Sequence, residues 1–110
     1  MPFSIETAGD IVIVSVVGQL VVGNRQEFKQ LVLDEIGRGA NRVLVDFSET
    51  GYVDSSGLGA LVSLNKRLRE TGGSLRLAAL NEDLRTLFEL TRLDTLFKLY
   101  PIRADALVDF

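Results

Sequence analysis

Residues 43–64 read VLVDFSETGYVDSSGLGALVSL, and the fold follows from how this stretch divides. Val43–Phe47 is a short apolar run carrying Asp46 near its end. That is the pattern of a buried strand surfacing at its carboxyl end. From Leu58 onward the apolar residues Leu58, Leu61, Val62 and Leu68 stand three, four and ten positions from the first, which lines one face of a helix. Between the two, Asp54-Ser55-Ser56-Gly57 supplies side-chain oxygens able to cap that helix's free amides. Gly57 and Gly59 fall in its first turn, where each costs about 1 kcal/mol relative to Ala. A local rule broken beside two hydroxyls is a place to look for function.

Outward from this centre, Ser48–Val53 reads as a polar loop between strand and helix, and the helix runs to about Thr71 before Gly72-Gly73 stops it. Ser74–Ala79 is a second apolar strand, covered on both faces. Asn81 caps a third helix bearing Leu84, Leu87 and Phe88, with Leu93, Leu96 and Phe97 as later apolar positions. Leu99–Ile102 suits a last short strand, and Ala104–Phe110 a final helical turn or a tail. On the amino-terminal side, strands Phe3–Thr7 and Ile11–Val17 flank Ala8-Gly9-Asp10, a hairpin in which glycine supplies the positive φ. Gly18–Gly23 reads as a turn with a short extended piece. Asn24 is a good N-cap for a helix carrying Phe28, Leu31, Val32, Leu33 and Ile36. Glu27 completes a capping box, and Gly37 and Gly39 offer the stop.

The expected fold class is therefore α/β, a mixed sheet of four to five strands with three to four helices, opening with a β-hairpin and forming one domain over residues 1–110. Right-handed crossovers gather the strand-to-helix loops at one end of the sheet, the usual place for sites in open α/β sheets. The Ser55 loop is one of them.

Composition excludes several chemistries. The 110 residues contain no Cys and no His. Disulfides, thiol nucleophiles, Ser-His-Asp triads and His- or Cys-ligated metal sites cannot be built from this chain alone, and no cofactor or metal is expected. Gly57-Leu58-Gly59 lacks the third glycine of a dinucleotide fingerprint and matches no P-loop. A net charge of −3, from 12 basic and 15 acidic residues, argues against nucleic acid as partner. The one local basic cluster, Lys66-Arg67 with Arg69, reads as a solvated helix face. No apolar run approaches the roughly 18 residues of a membrane span, and Met1–Ser4 lacks a signal-peptide pattern. A cytoplasmic location is the simplest expectation.

The stretch V-D-S-S-G-L-G at Val53–Gly59, preceded by a strand and followed by a helix, resembles the signature of the STAS family. The resemblance runs without gaps from about Gly18 to Tyr100, and it implies a STAS-type fold. The small stand-alone members of that family are bacterial anti-sigma factor antagonists. In them the first Ser of the signature is phosphorylated by the kinase activity of the anti-sigma factor. Only the unphosphorylated form binds that factor and frees sigma, an arrangement known as partner switching. Carried over, the phosphoacceptor is Ser55, with Ser56 as a cap or secondary acceptor. The partner surface would comprise Asp54, Ser55, Ser56, Gly57, Leu58 and Gly59 with Val21, Val22 and Asn24. The implied partners are an anti-sigma factor acting as serine kinase and a serine phosphatase; no catalytic residue is implied.

Elementary chemistry is compatible with that role. A phosphate on Ser55 would sit at helix amides whose dipole favours negative charge by about 0.3–1 kcal/mol. It would add nearly two charges to any surface read there. Asp54 and Asp46 are the carboxylates nearest the serines in sequence. Asp54 suits capping and orientation of the hydroxyl, whereas the pair offers no matched acid–base machinery. Val21, Val22 and Tyr52 either roof the core or form an apolar patch. One departure stands out: family members often carry an acidic residue after G-x-L, and here Gly18-Gln19-Leu20 is followed by Val21 and Val22. Arg25, at the start of the next helix, reads as a solvated arginine, with pairing to a phosphate as the alternative. The alternative is a stand-alone subunit docking on a transporter or signalling complex without phosphorylation.

Overall fold

Five strands and four helices follow one another as β1 (Phe3–Ala8), β2 (Ile11–Leu20), α1 (Arg25–Gly37), β3 (Arg42–Val53), α2 (Ser55–Glu70), β4 (Ser74–Ala78), α3 (Glu82–Leu90), β5 (Lys98–Tyr100) and α4 (Arg103–Asp109). They are seen in a computed structural model that describes residues 2–110. A single 3-10 turn, Leu93–Thr95, lies between α3 and β5. The strands stand side by side in chain order, β1-β2-β3-β4-β5. Only the opening hairpin β1–β2 is antiparallel, turning at Gly9 with φ +63°. The neighbours from β2 to β5 are parallel.

Each parallel crossover steps to the adjacent strand in the same direction, so right-handed connections put α1, α2 and α3 on one face. Strand alternation then sorts the side chains. Val14, Val45, Phe47 and Leu77 face these helices and pack with Phe28, Val32, Leu61, Leu64, Leu68 and Phe88 in the main core. Each such fully buried side chain contributes about 1.5–3 kcal/mol of transfer free energy. Ile11, Ile13, Leu44 and Ala78 face the other way, where Ala106 of α4 covers them. Among the described residues no helix is long and apolar enough to cross a membrane.

Two expected loops are strand instead. β3 continues through Ser48–Val53, and β2 continues through Gly18 to Leu20, the two remaining paired as far as Leu20 with Val53. Their ladder survives by bulging. It shifts register between Ser15 and Val17, where the buried Thr50 hydroxyl donates to the Val16 carbonyl at 2.7 Å, and again at Gly18, whose φ is +91°. The third helix ends at Leu90, so Leu93, Leu96 and Phe97 lie beyond it, and Ala104–Phe110 falls largely within α4. The Asn24 capping box does not form. Asn24 precedes α1, but its side chain closes the β2–α1 loop, with Oδ1 accepting from the Val21 amide and Nδ2 donating to the Gln19 carbonyl, each at 2.9 Å.

α4 is pinned to the sheet by charge. Arg103 Nε donates to the buried Asp46 carboxylate at 2.7 Å, and its other nitrogens reach Glu6 and Ser15. Burial alone would push the Asp46 carboxyl up. The Ser48 amide and the Arg103 guanidinium outweigh it and hold the carboxyl below its ordinary value. A carboxyl depressed in the folded state contributes stability above its unfolded value, about 4, and loses it as pH falls through the folded value. Arg103→Met is therefore expected to destabilise the protein by about 1–3 kcal/mol at neutral pH, leaving a buried acceptor short of a donor. Urea unfolding at neutral pH and again below about pH 4 should show the gap to wild type narrowing in acid.

Candidate functional site

The extended ladder of β2 and β3 delivers two junctions to the same end of the sheet, the β2–α1 loop and the β3–α2 connection. Asp54 joins them. Its extended backbone precedes α2, its amide donates to the Leu20 carbonyl at 3.1 Å, and its Oδ1 caps α2 by accepting from the Gly57 amide at 2.9 Å. Oδ2 accepts from the Val22 amide at 3.0 Å, across thirty-two positions of sequence. The Gly57 amide, followed by those of Val22 and Ser56 and the charge of Arg25, holds this carboxyl below its ordinary value against a smaller opposing effect of burial. Capping thus falls to Asp54, and neither serine is needed for it.

Ser55, the first residue of α2, is exposed, and its hydroxyl bonds to no other group among the described residues. Ser56 is partly buried. The two glycines separate sharply. A Cβ at Gly57 would come within 2.5 Å of the Leu20 carbonyl oxygen and 2.9 Å of Val53 Cγ1, so this residue is glycine because β2 passes against the helix. Nothing lies within 4 Å of a Cβ at Gly59. Gly57 and Leu58 are buried, so of the partner surface expected over Asp54–Gly59 these two offer little to a partner; Gly59 is exposed.

Val22 is 67% exposed and Tyr52 57%, so these two do not roof the core. Val21 is partly buried, and Asn24 is engaged within its own loop. Arg25 is half-buried at the start of α1, close enough for its charge to act on Asp54, and its Nε is buried without a partner. Asp46 does not belong to this site. It lies eight residues up β3, roughly 25 Å away at about 3.3 Å per residue, and faces α4. Sequence reasoning found α3 but missed its place at this site. Asp83, Leu84 and Leu87 border a groove of about 400 Å³ with Gly51–Ser55, and Asn81 ties the two walls by donating to the Thr50 carbonyl at 3.2 Å. Nothing local in the sequence marks that juxtaposition. The site offers the exposed Ser55 hydroxyl, with the hydroxyls of Ser56 and Tyr52, likewise unbonded among the described residues, beside carboxylates and exposed apolar side chains, the makings of a protein-binding surface.

Comparison with known proteins bears on the family and the fold. Residues 2–106 match the STAS domain family. The crystal structure of a Thermotoga maritima protein, provisionally designated an anti-sigma factor antagonist, superposes with a TM-score of 0.93 at 30% identity, covering 97% of this chain and 92% of that one. The anti-sigma-B factor antagonist of Bacillus subtilis is 31% identical over 80 residues, which span 73% of this chain and 72% of its own. The Bacillus cell fate determinant SpoIIAA, whose structure is known in its phosphorylated form, shares the fold with a TM-score of 0.77 at 19% identity, covering 97% of each chain.

Two outcomes test the architecture of the site. Gly57→Ala should destabilise by about 1–3 kcal/mol through overpacking against Leu20, whereas Gly59→Ala should be neutral or stabilise by up to about 1 kcal/mol; chemical denaturation of both variants checks the contrast. Asp54→Ala should speed hydrogen exchange at the Val22 and Gly57 amides while leaving the mid-helix Leu61 amide protected.

Proposed function

The chain belongs to the STAS domain family, and from that premise we propose that it is an anti-sigma factor antagonist switched by phosphorylation of Ser55. Unphosphorylated, it binds a kinase-type anti-sigma factor through Ser55, Gly59, Val22 and the neighbouring Tyr52, and so frees a sigma factor. The observation that carries this reading is the unengaged Ser55 hydroxyl at the first turn of a helix that Asp54 already caps. Its position leaves the oxygen open to a partner.

Modification transfers the γ-phosphoryl group of ATP to Ser55 Oγ, with loss of the hydroxyl proton and departure of ADP. Asp54 is a poor acceptor for that proton, because two amides stabilise its charged form. The base is therefore assigned to the kinase. The product brings about two negative charges next to Asp54 and across the groove from Asp83. No element has to refold for the partner to be excluded; repulsion and desolvation at the contact suffice. On this reading the protein is a substrate and a binding module, with a serine phosphatase restoring the active form. Val21 stands where the family resemblance implies an acid, and with Val22 it makes the unmodified surface apolar there.

The names of the relatives support an anti-sigma factor as partner. Binding of the cognate anti-sigma factor is the test. Wild type and Ser55→Ala should bind equally, and Ser55→Asp at least about tenfold more weakly, equivalent to about 1.4 kcal/mol. Equal binding by Ser55→Ala and Ser55→Asp would sink the mechanism. Phosphosite mapping on protein from its own cells should place the phosphate on Ser55; no phosphate under any growth condition would favour a docking subunit that works without modification.

A further inference from the structure

α2 presents a second surface, well away from Ser55. Val62, Asn65, Lys66, Arg69 and Glu70 of this helix, with Leu96 just past the 3-10 turn, line an open groove of about 400 Å³. Asn65 lies about 15 Å further along the axis than Ser55, and some 280° around it.

Three features point to an occupant. Asn65 lines this groove and is 5% exposed as a residue, and its carboxamide, bonded to no other group among the described residues, keeps its polar atoms open to the groove and to solvent. A carboxamide open in this way is equipped to bond a peptide N–H and C=O together. Val62 and Leu96, 36% and 38% exposed, contribute apolar walls. Lys66 and Arg69 extend the apolar surface with their stems and leave their charges at the rim. Neither makes an ion pair among the described residues.

We infer that this groove is a docking site for an acidic, apolar peptide segment of a protein partner. Asn65 bonds the segment's backbone, Val62 and Leu96 hold an apolar side chain, and Lys66 and Arg69 meet its carboxylates. A second copy of the chain is the less favourable occupant, because a two-fold contact would bring the two cations of each groove, offset by the single acid Glu70, against the same set. A bare inorganic anion fits poorly as well, since the walls are apolar and only one carboxamide faces inward.

The test uses the full-length, isotopically labelled chain, titrated with a short capped peptide of glutamate and leucine while amide shifts are followed. Saturable shifts at Val62, the Asn65 carboxamide and Leu96 are expected. The same peptide with lysine in place of glutamate should leave them unmoved. Reversal of the exposed rim charges in a Lys66→Glu, Arg69→Glu double variant should weaken binding about tenfold without touching the core. Asn65→Ala should weaken it too, with the double variant as the control for any loss of fold. No shift with the acidic peptide, equal binding of the basic one, the same shifts from inorganic phosphate, or concentration-dependent shifts without any peptide would each overturn the assignment. Ser55→Asp should leave the peptide affinity unchanged, which separates this surface from the phosphorylation switch.

Discussion

The two oxygens of Asp54 hold the functional end of the molecule together. One closes the first turn of α2 on the Gly57 amide and the other takes the Val22 amide from the β2–α1 loop. Helix start, loop and strand end are thereby fixed to one carboxylate. Because both bonds require the charged form, they also hold that carboxyl below its ordinary value. Ser55, one residue further on, inherits a rigid setting without contributing to it. A side chain relieved of structural duty in this way can change its charge without cost to the fold.

That arrangement depends on the bulged ladder behind it. β2 and β3 would reach the site only as loops if pairing stopped at Ser15 and Asp46. Two register shifts absorb the irregular stretch, and the strands then continue to Leu20 and Val53. Bulges next to sites serve this purpose generally, re-aiming a strand while keeping it paired. Gly57 shows how tight the result is, since a single methyl group there would collide with the Leu20 carbonyl. Stability elsewhere is kept separate. Asp46, Arg103 and α4 form an electrostatic clasp on the opposite face of the sheet, so acid weakens the clasp far from Ser55.

α2 carries two surfaces of different chemistry. Its amino-terminal end offers a hydroxyl among carboxylates, suited to a switch read through added negative charge. Its carboxyl-terminal half offers an open amide between apolar walls, with Lys66, Arg69 and Glu70 at the rim. The main core buries the remaining face of the helix, so both surfaces are held in fixed relation by one rigid element.

Apart from Ser55, which the family resemblance singled out, the sequence by itself determined the α/β class, the opening hairpin with its Gly9 turn, and a helix following the Asp54-Ser55-Ser56-Gly57 stretch. All of these rest on local rules: period-two and period-3.6 apolar patterns, turn glycines and capping residues. It failed where pairing is long-range. Ser48–Val53 and Gly18–Leu20 look like loops because they are polar and glycine-containing, and only their partnership across the sheet makes them strand. The same limit hid the roles of individual residues. Gly57 and Gly59 are alike in sequence, but one packs on Leu20 and the other on nothing. Asp46 and Asp54 are close in sequence, yet Asp46 lies within β3 on the α4 side and is paired with an arginine fifty-seven residues away, whereas Asp54 stands just past the strand's carboxyl end. Tertiary structure alone decided these, because burial and hydrogen-bond partners belong to the elements that meet, and no stretch of sequence records which elements those are.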